Sequence, residues 1–455
     1  MKGIRSFISA LLVAVMILGV TGNTVKAAED EDDNVIRLSV EKCVLKPGKK
    51  LRIHVENAED AKITYTSRDT EVATVSKLGK ITAINEGTTS IIVLVTISDD
   101  EGTETTVKLK CKVKVEEEKV VTLMAVGDAL IHENILKSGK TKKGKYNYDA
   151  LFENITDYIA DFDVKIINQE TIFINDSSQF AGYPCFGTPK ELGDSMRKAG
   201  FNVITCATNH AYDKGARGIK DTGAYWKQYE DSVIMTGIYD SQESYDTLSI
   251  REYNGIKIAF LNYTTLVNSG SKREPYYIRY YKESQALKEI AKAKKKADFV
   301  IVLPHWGIEY DHDPSSEQKT MAKKMAEAGA DAIIGCHPHV VQPMKVIKTS
   351  DGRRVPCFYS LGNFVSNMFW FKTQLEGMAE LEIVKWNGET TVRKAKQTPL
   401  VNHVNGNDTE FTAYLLADYD EDVCKKHYMN QRFGSGAVTI KRLKELFNSI
   451  GNDKW

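Results

Sequence analysis

The sequence predicts a multidomain protein in which an all-β sandwich precedes a layered α/β domain. Two contrasting patterns predict this fold class. Residues 35–117 consist of short β-branched runs separated by turn residues such as Gly79 and Gly87, which is typical of a sandwich. Residues 119–400 alternate apolar strand candidates with helical segments, which is typical of an α/β domain. A chain of 455 residues is long enough for two or three domains.

Residues 1–27 have the composition of a signal peptide. The basic residues Lys2 and Arg5 precede the apolar run Phe7–Val20, and small residues follow before a cleavage point at Ala27. The apolar run is shorter than the roughly 20 residues of a membrane span. The alternative is an uncleaved N-terminal anchor. Both alternatives predict a secreted or cell-surface protein, outside the cytoplasmic membrane.

The β-domain contains a recognisable series of short motifs. They are Thr66-Ser67-Arg68-Asp69, Val72-Ala73-Thr74-Val75, Gly79-Lys80-Ile81-Thr82-Ala83 and Gly87-Thr88. Their order resembles the bacterial Ig-like group 2 domain. The resemblance implies a spacer or adhesion module that contacts the cell wall or a membrane complex. Cys43 and Cys111 lie near the two ends of this domain, so a disulfide between them is conceivable.

The strand candidates of the second domain are almost continuously apolar, so we expect both faces of the sheet to be covered. They are Val120–Val126, Val164–Asn168, Asn202–Cys206, Ile256–Asn262, Phe299–Leu303, Ala332–Gly335 and Val355–Tyr359. The helical candidates between them are Asp149–Tyr158, Pro189–Ala199, Lys282–Lys296 and Ser316–Ala328. Residues 401–455 form a mixed C-terminal extension that ends in the amphipathic helix candidate Thr439–Ile450.

Ligand-type side chains follow six of these strands directly. The motifs are Gly127-Asp128 with His132, Asn168-Gln169-Glu170, Asn209-His210 with Asp213, His305-Trp306-Gly307, His337-Pro338-His339, and Ser360-Leu361-Gly362-Asn363-Phe364. They include five of the nine histidines. Because the carboxyl ends of strands line the ligand crevice of an open α/β sheet, we expect these side chains to form one site.

The residue types favour a metal site. Histidine, asparagine and carboxylate ligands together suit a divalent Mn, Zn or Fe ion better than Ca or Mg. A carboxylate can also bridge two ions, and a pair of ions can polarise a substrate oxygen and lower the pKa of a water molecule. The sequence therefore predicts a site for one or two divalent ions.

The same six motifs, in order over roughly residues 120–400, resemble the CapA family. That family is associated with synthesis, anchoring or turnover of capsular poly-γ-glutamate. Its fold is similar to that of the calcineurin-like metallophosphoesterases. The resemblance therefore implies a four-layer α/β/β/α sandwich for residues 119–400.

The resemblance also assigns roles to individual residues. The metal ligands it implies are Asp128, His132 and His339 for one ion, Asn209, His305 and His337 for the other, and Glu170 as the bridge between them. His210 is similar to the histidine that protonates the leaving group, a general-acid role that contributes roughly 10²–10⁴-fold to rate. Asp213 is the third catalytic candidate.

Several of these residues have a second interpretation. Asp213 could orient His210 or cap a helix, and His132 could form only a local hydrogen bond. Asn168 could be a metal ligand or a backbone cap. Ser360 and Asn363 could shape a turn or face a substrate.

The chain departs from the phosphoesterase pattern at two points. Three residues separate Asp128 from His132, where phosphoesterases have one, and Asn168-Gln169-Glu170 replaces the bridging Gly-Asp pair. Both departures weaken the case for simple phosphoesterase activity. They leave two hypotheses. The first is a metal-dependent hydrolase or transferase that acts on an anionic cell-surface polymer or a phosphate ester. The second is a non-catalytic assembly or polymer-binding factor at the cell wall.

The charge balance bears on the partner. Lys plus Arg and Asp plus Glu each number 61, so the formal net charge is zero. That balance argues against nucleic acid as a partner, although it leaves room for a local basic patch. The seven cysteines lack the paired spacings of metal fingers.

Overall fold

The computed structural model describes residues 35–268 and 273–455, so the predicted signal peptide, residues 1–27, lies outside the described residues. The described residues divide into two compact units, with the boundary between Glu118 and Lys119. In the two described ranges, no helix combines the length and the apolar character that a membrane crossing requires.

The described part of the first unit is built of strands. They are β1 (Arg37–Leu38), β2 (Lys42–Leu45), β3 (Lys50–Arg52), β4 (Val55–Glu56), β5 (Lys62–Ser67), β6 (Ala73–Val75), β7 (Lys80–Ala83), β8 (Gly87–Ser98) and β9 (Glu104–Val115). A four-stranded sheet has the order β2-β9-β8-β5, a three-stranded sheet has the order β3-β7-β6, and β1 pairs with β4.

One apolar core fills this unit. Alternate residues of β8 and β9 point into it, among them Ile91, Val93 and Val113, which are buried together with Ile81 of β7. This alternation is what the pleat of a half-buried strand requires. The structure therefore confirms the predicted all-β sandwich. Cys43 and Cys111 lie on the paired strands β2 and β9, and both are free thiols.

Two sheets form the centre of the second unit. The first has the order β13-β12-β11-β10-β21-β22-β23, with β20 also paired to β10. Its strands are β10 (Lys119–Ala129), β11 (Val164–Gln169), β12 (Val203–Thr205), β13 (Ile234–Thr236), β20 (Asn363–Val365), β21 (Leu375–Trp386), β22 (Glu389–Val404) and β23 (Phe411–Leu415). The second has the order β14-β15-β16-β17-β19-β18. Its strands are β14 (Ser249–Tyr253), β15 (Ile256–Thr264), β16 (Phe299–His305), β17 (Ala332–Ile334), β18 (Val341–Lys348) and β19 (Arg354–Leu361).

The described residues of this unit also form ten α-helices. They are α1 (Glu133–Ser138), α2 (Glu153–Ile159), α3 (Glu191–Lys198), α4 (Gly215–Lys227), α5 (Gln242–Asp246), α6 (Glu283–Lys294), α7 (Ser316–Ala328), α8 (Glu421–Lys425), α9 (Tyr428–Phe433) and α10 (Ile440–Ser449).

Three apolar clusters define the layers. Leu123 of β10 and Ile301 of β16 belong to the cluster between the two sheets. The opposite face of the first sheet packs on helices through residues such as Trp226 of α4, and that of the second sheet through residues such as Met325 of α7. The order is helix, sheet, sheet, helix. The predicted α/β/β/α architecture is confirmed.

The parallel register brings the predicted motif strands to a common edge in each sheet. In the first sheet β10 pairs in parallel with β11, so that Asp128 lies opposite Asn168, and β11 pairs in parallel with β12. In the second sheet β15, β16 and β17 are parallel, so β16 ends at His305 beside the end of β17.

The last residues pack onto the same unit. β22 continues past residue 400 to Val404, and β23 extends the sheet beside it. Leu443 of α10 is buried in a cluster that includes Val341 and Val401. The predicted mixed C-terminal extension, residues 401–455, is therefore made of strand and short helices around a local apolar core.

Helix α7 shows how local sequence fixes the outer layer. Ser315 accepts a hydrogen bond from the Gln318 backbone N–H at 3.1 Å, and the Gln318 side chain accepts one from the Ser315 N–H at 3.0 Å. This capping box satisfies two backbone donors that the helix leaves unpaired. We expect Ser315→Ala to lower the free energy of unfolding by about 1 kcal/mol. Urea denaturation measures this, with Ser316→Ala, at an exposed position one residue later, as the control. Equal stability of the two variants would contradict the capping role.

Candidate metal centre

Asp128 lies at the carboxyl end of β10, in the candidate site. The β10–β11 register shifts between Val126 and Asp128, so a bulge re-aims the chain at the aspartate. Asn168 on β11 donates through Nδ2 to Asp128 Oδ1 at 2.6 Å, and the Thr205 hydroxyl donates to Asn168 Oδ1 at 2.7 Å. Asn168 therefore orients the carboxylate of Asp128.

A close backbone approach explains the glycine before Asp128. A Cβ at Gly127 would lie 2.0 Å from the Gly362 carbonyl oxygen, which accepts a hydrogen bond from the Asp128 N–H at 3.0 Å. Ser360 Oγ donates to the Val340 carbonyl and accepts from the Gly362 N–H, so its hydroxyl shapes the turn. Only glycine at position 127 lets this turn pack against β10.

Glu170 occupies the centre of the cluster and is buried. Neither carboxylate oxygen has a hydrogen-bond partner in the part of the chain that the structure describes. Its Oε1 lies 3.7 Å from His305 Nε2 and 3.9 Å from His339 Nε2. Burial, reinforced by the charge of Asp128, raises the pKa of Glu170 well above its ordinary value. A buried carboxylate without partners is costly, and a cation is the group that would compensate it.

His337 and His339 reach the cluster from one tight turn. Their φ angles are 101° and 57°, a region that non-glycine residues rarely adopt and that is concentrated at functional sites. The His337 N–H donates to Asp128 Oδ2 at 3.2 Å, and His339 Nδ1 lies 2.9 Å from Asn363 Oδ1. His337 Nδ1 is buried without a hydrogen-bond partner among the described residues.

The charge states of the histidines differ. Burial and the neighbouring His337 lower the pKa of His305 well below its ordinary value, and burial and His339 lower that of His337 to about 3. Both are therefore neutral, which is the form that binds metal. Burial also opposes the charged form of His339, but the carboxylates of Glu170 and Asp128 outweigh it and raise the pKa to about 9. Metal binding at His339 would release this proton.

Asn209 completes the second side of the centre. Its Oδ1 lies 2.8 Å from His305 Nε2, and its backbone carbonyl accepts a hydrogen bond from the Asn268 N–H. Asn209 follows β12 in the first sheet, whereas His305 ends β16 in the second. The contact therefore joins the two sheets at their common polar edge.

Among the residues that the structure describes, three groups of potential ligands result, each with its ligand atoms within 4.8 Å of one another. They are Asp128, Glu170 and His339; Glu170, His305 and His337; and Glu309, His337 and His339. Glu170 belongs to the first two groups, where a bridging carboxylate would be. The cluster of His, Glu and Asp residues can hold a divalent metal, and the unpartnered oxygens of Glu170 fit one.

Glu309 is the residue that the sequence motifs did not single out. It is exposed, unlike the other members of the groups, and it lies on the solvent side of the two histidines. Its signal is its position two residues beyond the His305-Trp306-Gly307 motif. Gly307 at φ 95° and Tyr310 at φ 65° bend the chain on both sides of it.

His132 stands apart from these three groups. Its Nδ1 accepts a hydrogen bond from the Asn367 N–H at 3.2 Å and lies 3.1 Å from the Leu130 carbonyl. Burial lowers the pKa of His132 to about 4. The three residues between Asp128 and His132 carry the histidine past the end of β10 to the start of α1. The local contacts match the second interpretation of this residue.

His210 and Asp213 form a buried pair beside the cluster. His210 Nδ1 lies 2.7 Å from Asp213 Oδ2, and Asp213 also accepts a hydrogen bond from the Phe186 N–H at 2.9 Å. The ring of Phe186 packs edge-on against His210 at 4.6 Å, and His210 Nε2 faces Asn268 Nδ2 at 3.4 Å. Asp213 thus orients the imidazole, with Nε2 directed toward Asn268.

Fold and site together define the class of protein, a four-layer α/β/β/α protein with a candidate metal centre at the carboxyl ends of its strands. The bacterial capsule synthesis protein family PGA_cap matches residues 122–368, more than half of the chain, and the chain belongs to that family. The bacterial Ig-like domain (group 2) matches residues 36–107. The resemblances predicted from the motifs are confirmed.

Two relatives have similar levels of identity. The chain is 31% identical over 284 residues to the PGA biosynthesis protein CapA of Bacillus subtilis (strain 168), covering 60% of this chain and 70% of that protein. It is 31% identical over 282 residues to the capsule biosynthesis protein CapA of Bacillus anthracis, covering 60% and 66%. The crystal structure of the calcineurin-like phosphoesterase YfkN from Bacillus subtilis aligns with 72% of this chain and 100% of its own at 15% identity, with a TM-score of 0.39.

Proposed function

We propose that this protein is a metal-dependent hydrolase or transferase that acts outside the cytoplasm on an anionic cell-surface polymer of the poly-γ-glutamate kind. The observation that supports it is Glu170, a buried carboxylate that belongs to two facing ligand groups and has no hydrogen-bond partner in the described chain. Glu376 is equally buried, but of these two described residues only Glu170 belongs to the ligand groups and lies beside His305 and His339. The two relatives are named for PGA biosynthesis and capsule biosynthesis, which is the reason to propose a capsule polymer as the substrate.

The ligand assignment follows the contacts. Asp128, Glu170 and His339 would hold one divalent ion, and Glu170, Asn209, His305 and His337 a second, with Mn, Zn or Fe as the candidates. When bound, such ions polarise a carbonyl or phosphoryl oxygen and lower the pKa of water. Asn168 and Asn363 keep Asp128 and His339 in place, and such supporting contacts typically change metal affinity by about 10–100-fold.

His210 is the residue that would move a proton. Asp213 holds Nδ1, so Nε2, which lies 3.4 Å from Asn268 Nδ2, is the nitrogen that would deliver a proton to the leaving group. In an amide substrate the bond from the carbonyl carbon to nitrogen breaks. Water, or an amine acceptor in the transferase reaction, adds at the carbon and loses one proton. The leaving nitrogen takes a proton from His210, and the proton lost by the water or amine restores His210. In a phosphate ester the leaving oxygen would take the proton from His210.

The N-terminal unit supports the proposed location at the cell surface. An Ig-like domain of this type would act as a spacer or contact the cell wall or a membrane complex. Such a module and the predicted signal peptide both suit a protein that works at the cell surface.

The assay compares His210→Ala with Asp213→Asn on purified poly-γ-glutamate and on a phosphate ester, with and without Mn²⁺. We expect His210→Ala to lower turnover by roughly 10²–10⁴-fold and Asp213→Asn to lower it less, because the imidazole stays but loses its orienting partner. Metal content should not change in either variant, because neither residue belongs to the ligand groups. His54→Ala, at an exposed position of the first unit, is the control.

Wild-type turnover in both variants would contradict the catalytic assignment. If the protein binds the polymer but turns over neither substrate in any metal, the non-catalytic assembly or polymer-binding function is the better account.

A further inference from the structure

A short lysine-rich hairpin follows α1. Residues 140–146, here named the lysine hairpin, are joined by an antiparallel bridge between Lys140 and Tyr146. The Thr141 N–H donates to the Lys145 carbonyl at 2.7 Å, and the Gly144 N–H donates to the Thr141 carbonyl at 3.0 Å. Gly144 has φ 72°, which suits the turn. The lysine side chains are therefore presented on an ordered backbone.

The hairpin is rich in positive charge. Its four lysines, all exposed, are Lys140, Lys142, Lys143 and Lys145. Within the described ranges none of them forms an ion pair, whereas the acidic residues on the two flanks are already paired, Glu133 with Lys137 and Asp149 with Lys198. In a chain of zero net charge this is a local concentration of positive charge.

The hairpin is linked to the His210 side of the candidate metal centre through a short helix and through ring contacts. Only α1 separates it from His132, and six residues of helix span roughly 9 Å. The ring of Tyr146 packs edge-on against Phe180 at 5.4 Å. The loop that begins at Phe180 also carries Phe186, whose ring contacts His210.

We propose that the lysine hairpin is a binding site for a flexible polycarboxylate chain and holds that chain beside the metal centre. Lysines are point charges on long stems, and the four of them lie along an exposed turn, which suits an extended anion with many carboxylates. Each exposed contact is weak, but several act together and attract the polymer over a distance set by salt. The identity of the polymer as substrate rests on the proposed function, whereas binding to the hairpin is a separate property.

The test uses the full chain and fluorescently labelled poly-γ-glutamate, with anisotropy as the readout and EDTA present throughout. One variant replaces the hairpin lysines: Lys140→Gln, Lys142→Gln, Lys143→Gln and Lys145→Gln. The matched control replaces four exposed and equally unpaired lysines around α6: Lys288→Gln, Lys292→Gln, Lys295→Gln and Lys296→Gln. Both variants lose the same charge. Titrations at about 0.01 M and about 0.15 M salt span Debye lengths of about 30 Å and 8 Å.

We expect the hairpin variant to bind roughly tenfold or more weakly at low salt and to lose most of its salt dependence, while the control stays within about twofold of the wild type. Equal weakening in both variants, or no change in the hairpin variant, would overturn the proposal. Preferential binding of polyphosphate over poly-γ-glutamate would overturn it too, because it would make the site one for phosphates. If only the proposed function fails, the wild type will show no turnover of the polymer, but the hairpin variant will still bind the polymer more weakly than the control.

Discussion

Glu170→Gln will remove the stabilisation that divalent metal provides, while the stability of the metal-free protein changes much less. Without metal, the amide removes the desolvation cost of the buried carboxylate but also its attraction to the charged form of His339, and these two effects oppose each other. With metal, the amide offers no charge to either ligand group.

Thermal unfolding with EDTA and with Mn²⁺ measures both effects. A ligand at about 100 times its Kd stabilises the wild type by about 2.7 kcal/mol, and the variant should lack this gain. Glu376→Gln is a matched control, because Glu376 is equally buried and burial also raises its pKa. Glu376 belongs to none of the ligand groups of the described chain, so its variant should keep the metal-dependent gain. A full gain in Glu170→Gln would refute the bridging role.

Gly127→Ala is the second substitution with a large expected effect. The new methyl group would lie 2.0 Å from the Gly362 carbonyl oxygen and 2.8 Å from its carbon, so the backbone must shift. That shift moves Asp128 and the turn that holds Asn363. We expect a loss of about 1–3 kcal/mol in stability and a fall of about 10–100-fold in metal affinity.

Urea denaturation and a metal titration measure these two quantities, with Gly223→Ala as the control. Gly223 lies within α4, where an added Cβ meets no atom within 4 Å, so alanine there should raise stability by up to about 1 kcal/mol. Unchanged metal affinity in Gly127→Ala would mean that Asp128 does not depend on the glycine for its position.

Much of the fold follows from short-range patterns. The apolar runs of β10, β11 and β16 are buried on both faces, and Ser315 with Gln318 is a capping signal that places the start of α7 at Ser316. The pairing of strands distant in sequence is less accessible. β21 pairs antiparallel with β10 although 245 residues, 130–374, lie between the two strands. Residues 401–438 lack a strong hydrophobic period because β23 and two short helices share them.

The site was predictable where a candidate ligand lies at the end of a strand or just after it. Asp128, Glu170, His305 and His337 are such residues, and the sheet edge brings them together. Glu309 was not predicted. Gly307 and Tyr310, both with positive φ, bring it back to the histidines, and the local sequence does not encode that bend. Asn168 showed a third role, since its amide orients Asp128 through a contact that only the register of β10 and β11 reveals.

Anomalous diffraction from crystals grown with Mn²⁺ tests the central claim most directly. The account predicts a peak about 2.0–2.3 Å from a carboxylate oxygen of Glu170 and from a ring nitrogen of His305, His337 or His339. A second peak would lie about 3.5–4 Å away on the other side of Glu170. Strong peaks confined to other parts of the molecule, with Glu170 free of metal, would contradict the account.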